Sequence, residues 1–215
     1  MASARLYAVL TGDLIKSRAL AGQKIVRARQ ELDHAAKILN SWESGTVAGD
    51  PEFFRGDSWQ MALSSPHLSL RAALLVRALL RWRHGADSRI SIGIGGVERI
   101  DKRGTSMSTG PAFVASGLGL DAMPARASMT LSCAAGDDGM ASALVQLCGV
   151  TAGRWTQRQA ELVAAMIHPS RPTQAQIAKR LGVRQQSVQP VLASANWVAI
   201  RDALEAFEAV EWQNV

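Results

Sequence analysis

Two cysteines among 215 residues, Cys133 and Cys148, are too few and too isolated to staple the fold. Neither belongs to a C-x-x-C or a Cys/His cluster, so zinc is not expected. Both lie in apolar surroundings that suit reduced, buried thiols. No uninterrupted apolar run approaches the ~18 residues that a membrane helix needs. No segment of signal-peptide type is visible, because Met1 to Arg5 leads directly into a strand-like stretch. These absences create the expectation of a cytoplasmic protein with no membrane partner. Acidic side chains are the minority, 18 against 24 Lys and Arg, for a formal net charge of +6. A basic balance suits a polyanionic partner without identifying one. There is no internal repeat and no low-complexity tract. Hydrophobic content of 47% and charged content of 20% fit a folded chain, long enough for one large domain or two modest ones.

The first 150 residues alternate strand-like and helix-like segments. Leu6 to Leu10 is a short apolar run stopped by Thr11-Gly12-Asp13, the pattern of a buried strand entering a loop. Gly22 to Trp42 reads as a helix, with Ile25, Leu32, Ala36 and Leu39 inside. Phe53 to Leu63 reads as a hairpin turning at Gly56-Asp57. A helix follows over about Pro66–Trp82, with Leu70, Leu74, Leu75, Ala78 and Leu79 buried. Arg89 to Ile94 alternates with period two and is a strand, which Val97 to Ile100 can extend past Gly95-Gly96. After a loop at 101–109 come a helix at Pro111–Met123, a strand at Ser128–Cys133 and a helix from about Asp138 to Leu147. Gly149 to Gly153 is the expected boundary, dividing a 1–149 domain from a 150–215 domain. The predicted class is α+β: a ferredoxin-like α/β sandwich followed by an all-α tail.

The tail carries the most specific pattern, Thr173 to Leu192. Thr173 followed by Gln176 is a capping box, worth ~1 kcal/mol. Ile177, Ala178 and Leu181 share a face, and Gly182 ends the helix where a left-handed residue permits a sharp turn. Val183 fills the corner, and Val188 and Val191 face back from a second helix. This predicts a helix-turn-helix. The exposed start of its second helix is Arg184-Gln185-Gln186-Ser187, then Gln189. Arginine and glutamine make forked hydrogen bonds to guanine and adenine edges in the major groove. With Thr173, Gln174, Lys179 and Arg180, these residues form the candidate interface with double-stranded DNA. From Arg154 to Arg184 there are six basic residues and one carboxylate, Glu161. Against this, Pro190 sits inside the second helix, where proline costs ~3 kcal/mol. Helix-turn-helix modules also serve only to pack or dimerise. The last stretch, Trp197 to Val215, carries Asp202, Glu205, Glu208 and Glu211 and suits packing against a partner or second subunit rather than phosphate.

Two aspartates stand out in the first domain. Asp13 follows the first strand and Asp57 sits at the hairpin tip, so both can approach one sheet edge. Paired carboxylates are the usual ligands for Mg²⁺, which in turn holds phosphates. Gly12 and Gly56 would admit a phosphate, and Lys16 and Arg18 would add positive charge. The six tryptophans suit core or interface positions, with stacking on a base as the alternative for Trp59. Gly-Asp is also a common turn dipeptide, so the metal and turn readings both stand on spacing alone.

The segments YAVLTGDLIKSR, FFRGDSWQMAL and RISIGIGGVERI…STGPAFVASGLGLDAM resemble the SatD-like family over about residues 5–125. More distantly they resemble class III nucleotide cyclases and GGDEF-type palm domains. The resemblance implies a cyclase-like palm, and SatD-like proteins can carry a C-terminal helix-turn-helix. It also implies two metal-holding aspartates at the positions of Asp13 and Asp57. The cyclase helix that bears a catalytic asparagine and arginine corresponds to PAFVASGLGLDAM, which offers Val114, Gly117 and Leu118 there. The second hairpin acid of GGDEF enzymes is replaced by Ser58. The leading expectation is a homodimeric DNA-binding regulator whose first domain binds a nucleotide, with Mg²⁺, or mediates dimerisation. The alternatives are a Mg²⁺-dependent nucleotidyl cyclase or cyclic-oligonucleotide synthase with the tail as an oligomerisation module, and a scaffold assembled through its acidic last helix.

Overall fold

The structure is a computed structural model and describes residues 5–15, 22–54, 56–101, 104–134 and 139–212. It is α+β, as the alternating patterns imply. In order come β1 (Leu6–Leu14), α1 (Gly22–Trp42), β2 (Glu52–Phe54), β3 (Ser58–Leu63), α2 (Ser69–His84), β4 (Ser88–Gly96), α3 (Pro111–Asp121) and β5 (Met129–Cys133). Five helices follow: α4 (Gly139–Gly153), α5 (Gln157–Met166), α6 (Gln174–Leu181), α7 (Gln185–Ser194) and α8 (Trp197–Glu208). The strands form one sheet in the order β2-β3-β1-β4-β5. β1 is antiparallel to β3 and β4, and β5 lies parallel to β4. Residues 97–100 do not extend β4; they leave the sheet, with a lone bridge from Arg99 to Thr109. The expected helix start at Asp138 lies outside the described residues.

Successive side chains of a strand point to opposite faces, and this decides what covers each side. Ala8, Leu10 and Leu14 of β1 join Met61, Ile90 and Ile92 in the main core with α1 and α2. Val9 points the other way, with Ala62, against Ala112 and Phe113 of α3. Thr11 Oγ1 and Ser116 Oγ, 2.7 Å apart, tie that helix to the sheet.

Helix α2 is buried on nearly every side from Ser69 to Leu80. The leucines predicted to face inward do so, and the opposite face is covered by the later helices. That face carries Arg71 and Arg77, only 4% and 1% exposed. Buried guanidinium groups persist only when their donors are satisfied. Arg71 donates to Glu208 Oε1 (2.5 Å) and to the Ile167 carbonyl at the end of α5 (2.6 Å). Arg77 donates to both oxygens of Asp87 (2.8 Å each) and to the Gly149 carbonyl (2.8 Å).

These contacts join the two halves of the chain. The division expected at 149/150 falls inside α4, which runs on to Gly153. One core cluster extends from the sheet through α2 to Val163, Val188 and Leu204. The acidic last helix, expected to meet a partner, packs within the chain instead. Its Trp197, Ile200, Leu204 and Phe207 are buried, and its Glu208 meets Arg71. Cys148 is buried, which pushes its thiol up to about 12. Cys133 is only half-buried, at the end of β5, because that strand closes the sheet on one side.

Candidate nucleic-acid interface

The capping box predicted for α6 is complete. Gln176 N–H donates to Thr173 Oγ1 (3.2 Å), and Thr173 N–H donates to Gln176 Oε1 (2.8 Å). Thr156 and Gln159 build the same cap on α5, from a Thr-x-x-Gln spacing equally visible in the sequence. Gly182 ends α6 at φ 65°, a conformation that costs glycine little, and the chain turns into α7. Ile177 and Ala178 of α6 and Val188 and Leu192 of α7 are buried where the helices meet. Leu192 thus takes the inward place expected for Val191, which is half-buried. The two helices also rest on α5, and Trp155 Nε1 donates to the Ala195 carbonyl just beyond α7 (3.0 Å).

With its apolar side committed, α7 leaves its polar start in solvent. Arg184, Gln185, Gln186, Ser187 and Gln189 are all exposed. Four of them, Arg184, Gln185, Gln186 and Gln189, line one open depression of about 680 Å³ together with Gln174 from the first turn of α6. The fold therefore brings together residues fifteen positions apart in sequence (174 to 189). Ser187 and Thr173 are placed differently. The Ser187 hydroxyl donates to the Arg184 carbonyl (2.7 Å), and the Thr173 hydroxyl is held by its cap.

The basic residues divide into two groups. Arg158 is paired with Glu161, and Arg171 reaches Glu205 at 3.2 Å across from α8. Arg180 Nη2 donates to the Ala165 carbonyl (3.1 Å) and lines a cleft beside α1 and α2, away from the Gln174–Gln189 depression. Lys179 and Arg184 carry no ion pair among the described residues. The local excess of positive charge in the sequence is thus partly neutralised through space.

Pro190 lies inside α7 and is exposed. It removes the N–H that would otherwise reach the Gln186 carbonyl.

At one end of the sheet, topology brings the backbones of Asp13 and Asp57 near one another. Asp13 lies opposite Ser58 of β3, and Leu14 N–H donates to the Asp57 carbonyl (3.2 Å) across the hairpin end, where Gly56 turns the chain at φ 87°. On its other side Asp13 faces Arg89 of β4. Arg89 Nε donates to Asp13 Oδ1 (3.0 Å), and its Nη2 to Oδ2. That hydrogen bond raises the already high pKa of the guanidinium. A fork on both carboxylate oxygens puts a like charge where a cation would sit. Among the described residues no three or more His, Cys, Asp or Glu converge as a metal site. In this arrangement the Asp13 carboxylate is committed to Arg89. The partner Arg89 was not identifiable from sequence, because only the β1–β4 register places it opposite Asp13.

Two further expectations for this end of the sheet change. A Cβ on Gly12 would stand 2.6 Å from the Trp59 ring, so Gly12 makes room for that indole rather than for a phosphate. Trp59 is 1% exposed and donates Nε1–H to Ser88 Oγ (2.9 Å), so it packs in the core rather than stacking on a base. Lys16 and Arg18 lie outside the described residues. On α3, Val114 and Leu118 are 60% and 63% exposed, and Gly117 is half-buried.

No protein-family model and no curated protein matches the chain. Among the described residues no helix is long and apolar enough to cross a membrane.

Proposed function

We propose that this chain is a DNA-binding regulator that reads double-stranded DNA through a helix-turn-helix formed by α6 and α7. The observation that carries this reading is the shared, open depression of Gln174, Arg184, Gln185, Gln186 and Gln189. Arginine forks match guanine, and carboxamides match adenine, so this side-chain set suits base edges rather than phosphate alone. Lys179 supplies a phosphate contact from the neighbouring helix. The strand order of the first part supports the ferredoxin-like, cyclase-like reading of its sheet, and its role in this proposal is to pair two copies. A metal-dependent nucleotidyl cyclase would need Asp13 as a metal ligand, and Asp13 is the counter-ion of Arg89.

The test is fluorescence anisotropy with a library of duplexes followed by the selected site. Arg184→Ala is expected to weaken the selected site by about tenfold or more and to relax preference at one base pair, since a good bidentate contact discriminates by ~1–3 kcal/mol. Gln185→Ala should relax a different position. Lys179→Ala should weaken all duplexes alike. If Arg184→Ala and Gln185→Ala leave affinity and sequence preference unchanged, the recognition assignment fails.

A further inference from the structure

Between the layer that covers the sheet and the helices of the tail lies a cleft of about 360 Å³. Its size falls within the range of pockets for small organic ligands. Trp42 on α1 and Trp82 on α2 supply aromatic walls, and Leu79 lies beneath. Arg180 of α6 stands at the tail side, with His34 and His168 beside the walls. Both indoles are half-buried. The Arg83 guanidinium, paired with Glu31, lies 4.7 Å over the Trp82 ring, and the indole surface left over borders the cleft.

The polar groups decide what kind of molecule fits. Glu161 also borders the cleft, but its carboxylate is taken by Arg158. Arg180 spends one N–H on the Ala165 carbonyl and has no carboxylate partner among the described residues. His168 packs edge-on against Trp42, with ring centres 5.5 Å apart. His34 Nδ1 lies 3.3 Å from Glu31 Oε1, so that carboxylate orients it. One uncompensated guanidinium beside two indole walls is complementary to a flat apolar body bearing a single negative charge. A ligand with several phosphates would find one fixed cation and little room.

We propose that this cleft binds a small planar aromatic monocarboxylate, its ring between Trp42 and Trp82 and its carboxylate on Arg180. The site is separate from the α6–α7 depression, and its occupancy does not depend on whether the chain binds DNA. It joins elements from both halves of the chain, so a bound ligand bridges α1 and α2 to α5 and α6.

Titration of the intact chain, without DNA, tests this, using indole-3-carboxylate and its neutral amide as probes. Binding is read by calorimetry and by tryptophan fluorescence. The acid should bind saturably, and the amide should bind about tenfold or more weaker, as expected for loss of a charge-assisted contact. Arg180→Gln should remove the preference for the acid while leaving the amide's affinity in place. Arg180→Lys should restore part of it, which separates loss of the charge from any misfolding. Absence of saturable binding at millimolar acid overturns the proposal. Equal binding of acid and amide, or an acid preference that survives Arg180→Gln, also overturns it.

Discussion

Arg77 shows what one buried side chain can hold together. Its fork closes on Asp87, which also accepts from Arg81 Nη2 (2.5 Å) and from the Ser88 backbone N–H (2.9 Å). Burial opposes ionisation of Asp87, but the hydrogen bonds and charge of Arg77, with those of Arg81 and Ser88, outweigh it. They hold the carboxyl below its ordinary value. A depressed folded pKa stabilises the fold above the unfolded value of about 3.9, and that stabilisation is lost as pH falls through the folded pKa. The urea midpoint should therefore be flat from about pH 7 to 5 and drop below about pH 4. Arg77→Met breaks the pair and leaves Asp87 with Arg81 and the Ser88 N–H, at a cost of about 3–5 kcal/mol. Its urea midpoint at pH 7 should fall accordingly, and its acid limb should be shallower than that of the parent. A variant that keeps the parent's acid limb would show that Arg77 does not hold the charge on Asp87.

Helix α7 carries a conflict between what its backbone prefers and what its surface offers. Five of its first residues or their flank form the polar face, and Pro190 then removes a backbone bond one turn later. Pro190→Ala should stabilise the chain by up to about 3 kcal/mol. At ~2–4 °C per kcal/mol for a chain of this size, the melting temperature should rise by several degrees. A fall in melting temperature would mean that the proline ring packs favourably enough to offset the lost bond. The same helix shows why parts of this molecule were readable and others were not. Thr173, Gln176 and Gly182 act on backbone groups a few residues away, so their caps and turn were legible in the sequence. The hairpin at Gly56-Asp57 and the span of α1 were legible for the same reason. Asp13 with Arg89, and Arg171 with Glu205, are pairs made through space. Arg71 and Arg77 became core residues only because α5, α4 and α8 fold over α2. Nothing in the local pattern of α2 distinguishes them from solvated arginines.

Charge distribution over the whole molecule bears on how it assembles. The chain carries +6, yet α4 has no charged residue, and α3 has only Asp121 at its end. These helices cover opposite faces of β5, the last strand of the sheet. Thr130 and Ser132 lie toward α3, and Met129 and Leu131 lie in the core with α4. Outward they show Val114 and Leu118 on one side and Met140, Leu147 and Val150 on the other. If the first part pairs two copies, as proposed, a two-fold axis beside β5 would pair the strand antiparallel with itself and set uncharged helices against uncharged helices. Such a contact must bury ~800 Å² per partner to be stable. Under the proposed function, such pairing would have an energetic reason. Lys179 is the one phosphate contact assigned to each copy, so one copy alone would show a salt slope near about −1 and weak affinity. Two copies double the slope and span half-sites about 34 Å apart. Leu147→Glu should turn a dimer into a monomer in sedimentation velocity. It should also weaken the selected DNA site by more than tenfold, with the folded spectrum kept and the salt slope halved. If Leu147→Glu and Val114→Glu sediment as the parent does, the second copy does not sit on β5. If they become monomeric and still bind DNA with full affinity, pairing plays no part in recognition.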